Sequence, residues 1–522
     1  MKMEKLITIV KACAFLLIGT KLPAQTGDTS IGQNTNICVI VDRGKNQQIN
    51  EPSIAINPKS PNEIVIGANV NKLYYSKNFG ETWVYKQAKS SLGVYGDPVL
   101  HFNSNGKLFF AHLSKTPEKK WGAFFDRIVF QRSLKTIDSL HDGIGIGFNK
   151  NKMQDKPWIS SMQPNKTCLS WTEFDQYNSS NPLHKSRIKF AISLDSGKTF
   201  SDAIHISDTT GDCLDSDHTL EGATTAFNSN GTIYCAWAGH HKIYLDSSTN
   251  NGKTWNRDKI IAPQKSGWDL DLRQFPRSNA LPFLMINQSK STYGQRMFLL
   301  FADNIYGDMD IFILYSDNFG QSWSTPIRVN QDLKSNGSDQ FLPNMAIDPI
   351  TGHLYVIYYD RRHSSTNTFV AAYLSYSLDG GKSFKDIQIG KNFAPPGKNY
   401  FFGDYLDVDA YNGIIHPVWT EHHTTHDEIL TSTLFHDQLK NIYPIPTEFQ
   451  YFISKKELVL FHPTNNFSYK VIVKDKNKIL FRKSYRGKDK NEYYLSLEET
   501  HQPKLKIKMT NNSSSRTYRL LP

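Results

Sequence analysis

One eight-residue pattern, Ser-x-Asp/Asn-x-Gly-x-Ser/Thr-Trp/Phe, recurs five times in this chain: Ser76 to Trp83, Ser193 to Phe200, Ser248 to Trp255, Ser316 to Trp323 and Ser377 to Phe384. Five copies require a chain assembled from repeats rather than around one irregular core. Each copy follows a short β-branched or aromatic run such as Phe312-Ile313-Leu314-Tyr315. The pattern therefore reads as a hairpin turn. The Asp or Asn accepts backbone N–H bonds, the glycine takes a dihedral that a side chain would resist, and the aromatic folds back onto the blade edge. These are fold staples, not catalytic groups.

The copies start 117, 55, 68 and 61 residues apart, so the first interval is about two units long. A unit without the pattern fills it, opening at Asp97-Pro98-Val99-Leu100, turning at Asn105-Gly106 and carrying an outer hairpin around Arg127 to Leu134. A second register agrees. Units open at Glu51-Pro52, Asp97-Pro98, Asp155-Lys156-Pro157-Trp158, Glu221-Gly222, Arg277-Ser278, Leu342-Pro343 and Asp404-Tyr405. Their return strands, for instance Leu354 to Tyr359 and Thr232 to Trp237, are aromatic and β-branched, as a packed blade interior demands. Four short strands per unit of about 57 residues predict an all-β propeller. The last unit offers only three strands, and Asn36 to Val41 near the amino end could supply the fourth. That favours seven blades over the alternative of six.

The repeated pattern resembles that of the Asp-box, or BNR-repeat, sialidase-like superfamily, over roughly residues 36 to 437. Asp155-Lys156-Pro157-Trp158, Asp360-Arg361-Arg362 and Gly403-Asp404-Tyr405 ahead of Trp419-Thr420-Glu421 are similar to features of its exported bacterial members. The resemblance implies a glycan or glycoprotein as partner, and either exo-glycosidase chemistry or a non-catalytic surface that binds carbohydrate or protein.

The two ends of the chain read differently from its body. Residues 1–25 carry Lys2, Lys5 and Lys11, an apolar stretch from Ala12 to Ile18 and the exit Leu22-Pro23-Ala24-Gln25, the form of a secretory signal peptide. Residues 26–440 form the propeller. Residues 441–522 open at Asn441-Ile442-Tyr443-Pro444 and predict a small β-sandwich with strands at Phe467 to Val473, Ile479 to Phe481 and Lys504 to Met509. This tail resembles a degenerate type IX secretion sorting domain, which implies contact with outer-membrane secretion machinery and a secreted or surface location; a plain carbohydrate-binding or packing sandwich is the alternative. No later stretch is long and apolar enough to span a bilayer. The net charge of +11 resides in the leader, with four lysines against one glutamate, and in the tail, with 16 basic against 7 acidic residues, which leaves the body at −1. A nucleic-acid partner would call for a basic stripe on the body. Cys168 and Cys235 occupy equivalent strands and read as small buried residues, a bond between them being the alternative.

In a propeller the unit openings and the return-strand ends converge on one mouth. The expected substrate-binding residues are Asp97, Glu221, Arg277, Asp303, Arg361, Arg362 and Asp404, with Asp155, Asp360, Tyr405 and Glu421 as catalytic candidates. Clustered carboxyls raise one another's proton affinity and so can supply an acid and a base for glycoside cleavage. They would also suit calcium, or serve only to bond backbone N–H groups and arginines around the channel; no other cofactor is expected. A sialidase grips the sugar carboxylate with three arginines and attacks with a tyrosine activated by a glutamate. Arg277, Arg361 and Arg362 could form that trio, with Arg273 in reserve, but Arg361 and Arg362 are consecutive and cannot both point inward from one strand. Tyr358 and Tyr359 are further nucleophile candidates. His422, His423 and His426 read as solvated surface, because two adjacent histidines seldom share one ion. The Gly143-x-Gly145-x-Gly147 run reads as a loop between blades. Phosphate loops, H-E-x-x-H and G-x-S-x-G are absent from the sequence.

Overall fold

The computed structural model describes residues 38–43, 49–115, 125–134, 136–436 and 439, the backbone alone at 38–41, and the backbone of seven strands between 451 and 519. The leader predicted over residues 1–25 lies outside the described residues. Residues 36–447 form one compact unit, a seven-bladed β-propeller, and residues 448–522 belong to another.

Six blades are consecutive four-stranded antiparallel meanders. Their innermost strands are Ser53–Ile56, Val99–Phe102, Met153–Met162, Glu221–Phe227, Phe283–Ile286 and Gln340–Ile347. The seventh is built from both ends of the unit. Asp407–Tyr411, Ile414–His423 and His426–Ser432 run outward, and Cys38–Arg43 pairs antiparallel with the last of these, Ile40 opposite Leu430. The early strand therefore closes the ring as expected, and joining first to last leaves no open sheet between them. One expectation is corrected: Ile144–Ile146, within the glycine run, is the fourth strand of blade 2, paired with Arg127–Arg132. Gly145 has no side chain to oppose Val129, but β-branched Ile144 and Ile146 on either side sustain the strand.

The five boxes share one hydrogen-bond set. The serine Oγ accepts the glycine N–H at 2.8–3.0 Å, and the Asn or Asp oxygen accepts the N–H of the Ser/Thr four residues on at 2.9–3.1 Å. Each glycine has φ between 75° and 81°. Each also seats on the preceding blade: a Cβ would fall 3.1 Å from His416 at Gly80, 2.5 Å from Phe130 at Gly197, 2.2 Å from Phe190 at Gly252, 2.7 Å from Leu245 at Gly320 and 2.9 Å from Phe298 at Gly381. The box glycine thus serves the turn and the contact between blades. Around the channel, inner-strand N–H groups find side chains of the blade before: Leu100 N donates to Ser53 Oγ, Leu284 N to Thr224 Oγ1 and Ile54 N to Asp407 Oδ2, at 2.9–3.0 Å.

Cys168, Cys213 and Cys235 are buried and unbridged. In the second unit the strands Tyr451–Ser454, Glu457–Phe461 and Glu492–Ser496 form one antiparallel sheet, and Lys478–Tyr485, Tyr469–Asp475, Leu505–Thr510 and Ser515–Arg519 form another. Among the described residues no helix is long and apolar enough to cross a membrane.

Candidate functional site

Four blades begin their inner strand with a residue of positive φ immediately before a proline: Glu51 (51°), Asp97 (49°), Lys156 (48°) and Leu342 (51°). Gly222 (71°) holds this place in blade 4. A non-glycine residue held there is strained and persists only because its surroundings over-determine it. In blades 3, 4 and 6 the strand pairing shifts register at this point, and the bulge re-aims the side chains that precede the regular strand.

The openings line a cavity of about 660 Å³ at one end of the channel, with Glu51, Asp97, Asp155, Lys156, Tyr177, Arg277 and Asp404 among its walls. At its centre Lys156 Nζ lies 2.5 Å from Asp404 Oδ2 and 3.9 Å from Glu221 Oε1. Arg277 Nε lies 3.0 Å from the other Asp404 oxygen, and its Nη1 lies 2.7 Å from Asp215 Oδ2. Tyr177 donates to that same Asp215 oxygen at 2.5 Å. Asn279 binds the Asp404 carbonyl oxygen at 2.8 Å, and Glu51 accepts the Asp404 N–H at 3.0 Å.

Two cations thus face six carboxyl groups, and the imbalance divides the proton affinities. Burial works against ionised Asp404, yet Arg277 and Lys156 outweigh it and hold this carboxyl below its usual range. Burial also works against charged Lys156, but Asp404 and Glu221 raise it well above the ordinary lysine value. Where no cation donates a hydrogen bond to the carboxyl, burial wins. It pushes Glu51 up to about 7, with Asp404 adding repulsion. Asp97 is driven well above the carboxylate range by burial and then by Glu51 and Asp155. Glu221, fully buried with neither oxygen hydrogen-bonded, is raised similarly, and Asp155 is raised despite Lys156. The Tyr177 phenol is raised by burial and then by Asp215, so it keeps its proton at rest. The cavity therefore sets carboxyls of raised proton affinity beside one of lowered affinity, the separation of roles that acid–base chemistry needs.

No protein-family model matches the chain, and no curated protein matches it in sequence. Among solved structures it is similar in fold to a Hadza microbial sialidase, at 12% identity over 72% of this chain and 74% of that one, with a TM-score of 0.42. It is similar to a PL25 ulvan lyase at 11% identity over 78% and 99% of the two chains, with a TM-score of 0.47. It is similar to an α-L-arabinofuranosidase from Fusarium graminearum at 11% identity over 76% and 96%, with a TM-score of 0.41. Likeness at this level assigns no activity.

Of the expected residues, the structure gathers Asp97, Asp155, Glu221, Arg277 and Asp404 in one cluster. Asp303, Asp360, Arg361, Arg362 and Glu421 do not line the cavity, which corrects their expected place at the mouth. Asp303 caps the 264–267 turn, accepting the N–H groups of Lys265 and Ser266 at 3.1 and 2.8 Å. Arg362 bridges Asp360 and Asp386, 2.7 Å from each. Arg361 is fully buried between the rings of Phe275 and Phe341, its centre 5.6 and 5.3 Å from theirs. Burial there lowers its pKa to about 10. Glu421 accepts from Trp419 Nε1 and Lys391 N, both at 3.0 Å. Tyr405 does not line the cavity either; its hydroxyl donates to the Pro98 carbonyl at 3.2 Å and its ring lies 5.6 Å from that of Trp158. Tyr358 and Tyr359 are buried and hydrogen-bonded to Ser375 and to the Thr420 carbonyl. The arginine trio is therefore not assembled: among the described residues Arg277 is the only arginine that lines the cavity.

Lys156, Tyr177 and Asp215 are the residues that sequence reasoning missed. A signal for Lys156 was present. Aligning the units on the proline of Glu51-Pro52, Asp97-Pro98 and Lys156-Pro157 puts the lysine in the place of the acids, one residue after Asp155. Tyr177 and Asp215 sit on irregular loops whose sequences carry no repeat.

Proposed function

We propose that this propeller is an exported glycan-processing enzyme, a glycoside hydrolase whose reacting groups are Asp97, Tyr177 and Asp215. The observation that carries the reading is that Tyr177 and Arg277 line one cavity with Asp97 and are both held by the same Asp215 oxygen behind them. Asp97, whose proton affinity burial and its carboxyl neighbours raise well above the carboxylate range, gives a proton to the departing glycosidic oxygen. Tyr177 attacks the anomeric carbon as Asp215 takes the phenolic proton, and Arg277 steadies that carboxyl. Water then attacks the anomeric carbon of the glycosyl–tyrosine bond with Asp97, now ionised, taking its proton, and Asp215 returns the phenolic proton to the departing Tyr177 oxygen, which restores both groups. Lys156 and Asp404 hold the openings of blades 3 and 7 together and set the potential of the site.

With one guanidinium and a surplus of carboxyls, the cavity suits a neutral or amino sugar better than a sialic acid, whose carboxylate needs a cluster of arginines. The predicted leader at residues 1–25 supports export to the surface or medium, and the tail supports passage through a secretion apparatus.

The test is release from a fluorogenic panel of neutral, amino-sugar and sialic-acid glycosides by the purified chain. Release from a neutral or amino sugar is expected, with kcat lowered at least about 100-fold by Asp97→Asn and by Tyr177→Phe. Glycan binding without release would favour a lectin-like module. Release unaffected by both substitutions would remove the proposed machinery.

A further inference from the structure

The adjacent histidines 422 and 423 face opposite ways, as neighbours on a strand must. His422 Nδ1 lies 2.8 Å from Asp427 Oδ1, and its ring lies 5.1 Å from that of Tyr400. His423 instead stands opposite His426 across the tight turn that joins Ile414–His423 to His426–Ser432, the two rings stacked at 5.0 Å and 18°. Glu428, two residues beyond His426, shares that face. The His423 Nε2 lies 3.2 Å from one Glu428 oxygen and the His426 Nε2 lies 3.2 Å from the other. The objection that adjacent histidines rarely share an ion therefore falls away, because the convergent pair is 423 and 426.

We infer that His423, His426 and Glu428 form a binding site for a divalent transition-metal ion of the zinc type. Ligand atoms about 2.0–2.2 Å from a tetrahedral ion stand roughly 3.3 Å apart, close to both observed separations. All three ligand atoms lie within 4.8 Å of one another. His426 Nδ1 is 3.0 Å from Thr425 Oγ1. With the proton on Nδ1 donated there, Nε2 is left as the free lone pair, the tautomer-fixing partner that metal-bound histidines usually have. Glu428 is nearly buried while both histidines are partly exposed, so the ion has an entry path and one coordination position stays open. Calcium is a poor match, since it takes six to eight oxygen ligands. Arg43, at the end of the closing strand, lies 2.9 Å from Glu428 Oε1 and competes with the ion, but its side chain is 62% exposed and free to swing aside. The site is separate from the cavity and does not depend on the chemistry proposed there.

Calorimetric titration of the full, tag-free chain with zinc chloride should show one equivalent bound. Cobalt(II) in its place should give the intense visible absorption of a tetrahedral complex. His423→Gln and His426→Gln should each weaken zinc at least about 100-fold, with unfolding in EDTA unchanged from the parent chain. Arg43→Ala should tighten binding by removing the competitor. The inference is overturned by absence of zinc binding to the parent chain, by undiminished binding in the double histidine variant, or by weaker binding in Arg43→Ala.

Discussion

Lys156 and Asp404 stand 248 residues apart in the chain, and their charges meet at 2.5 Å at the mouth of the channel, joining the opening of blade 3 to that of blade 7. Both side chains are at most 6% exposed. The pair therefore counts as a buried ion pair, whose energetic weight shows when one partner is removed.

Lys156→Met is expected to cost about 3–5 kcal/mol of unfolding free energy, because it leaves Asp404 and Glu221 without their ammonium partner. The double variant Lys156→Met with Asp404→Asn should recover part of that loss. Urea unfolding of both variants checks this; strictly additive losses would show that the two residues are not coupled.

Gly252→Ala is expected to destabilise by about 2–5 kcal/mol, combining the penalty of a left-handed alanine with overpacking. Gly252 has φ 76°, and a new Cβ would meet Phe190 of blade 3 at 2.2 Å. Gly337, at a similar φ of 78° but with nothing within 4 Å of its would-be Cβ, is the control. Gly337→Ala should show the backbone penalty alone, and equal losses at the two positions would refute the role of the box glycine between blades.

Asp246 supplies a pH prediction. It is 2% exposed, one of its oxygens is without a hydrogen bond, and burial pushes its pKa up to about 7, with Asp258 adding repulsion. In the unfolded chain an aspartate titrates near 4, so the folded state holds this proton more tightly. The contribution of Asp246 to stability is therefore full below about pH 4 and is lost as the pH rises to about 7. Asp246→Asn should show no advantage over the parent chain at about pH 4 and a growing one up to neutrality. Denaturant unfolding across that range measures it, and a pH-independent difference between the two proteins would sink the assignment.

The fold was legible because its determinants are local and repeated. Ser316, Asn318 and Gly320 build their turn from one another's atoms, and the same short-range bonds recur in four other copies, so reading the residues amounted to reading the turn. The closing strand was legible by subtraction, since a blade with three strands needs a fourth. The gathering of Asp97, Asp155, Arg277 and Asp404 around one cavity, with Glu221 beside Lys156, followed from the same radial register. What the residues do once gathered was decided by contacts that no spacing encodes. Arg361 and Arg362 differ by one position, yet one is stacked between Phe275 and Phe341 and the other is held by Asp360 and Asp386. Tyr177 and Asp215 meet through two loops from different parts of the chain. Sequence repeats specify elements whose bonds lie within a few residues. Charge partners and proton affinities depend on through-space distances and on burial, and these exist only when the ring is closed.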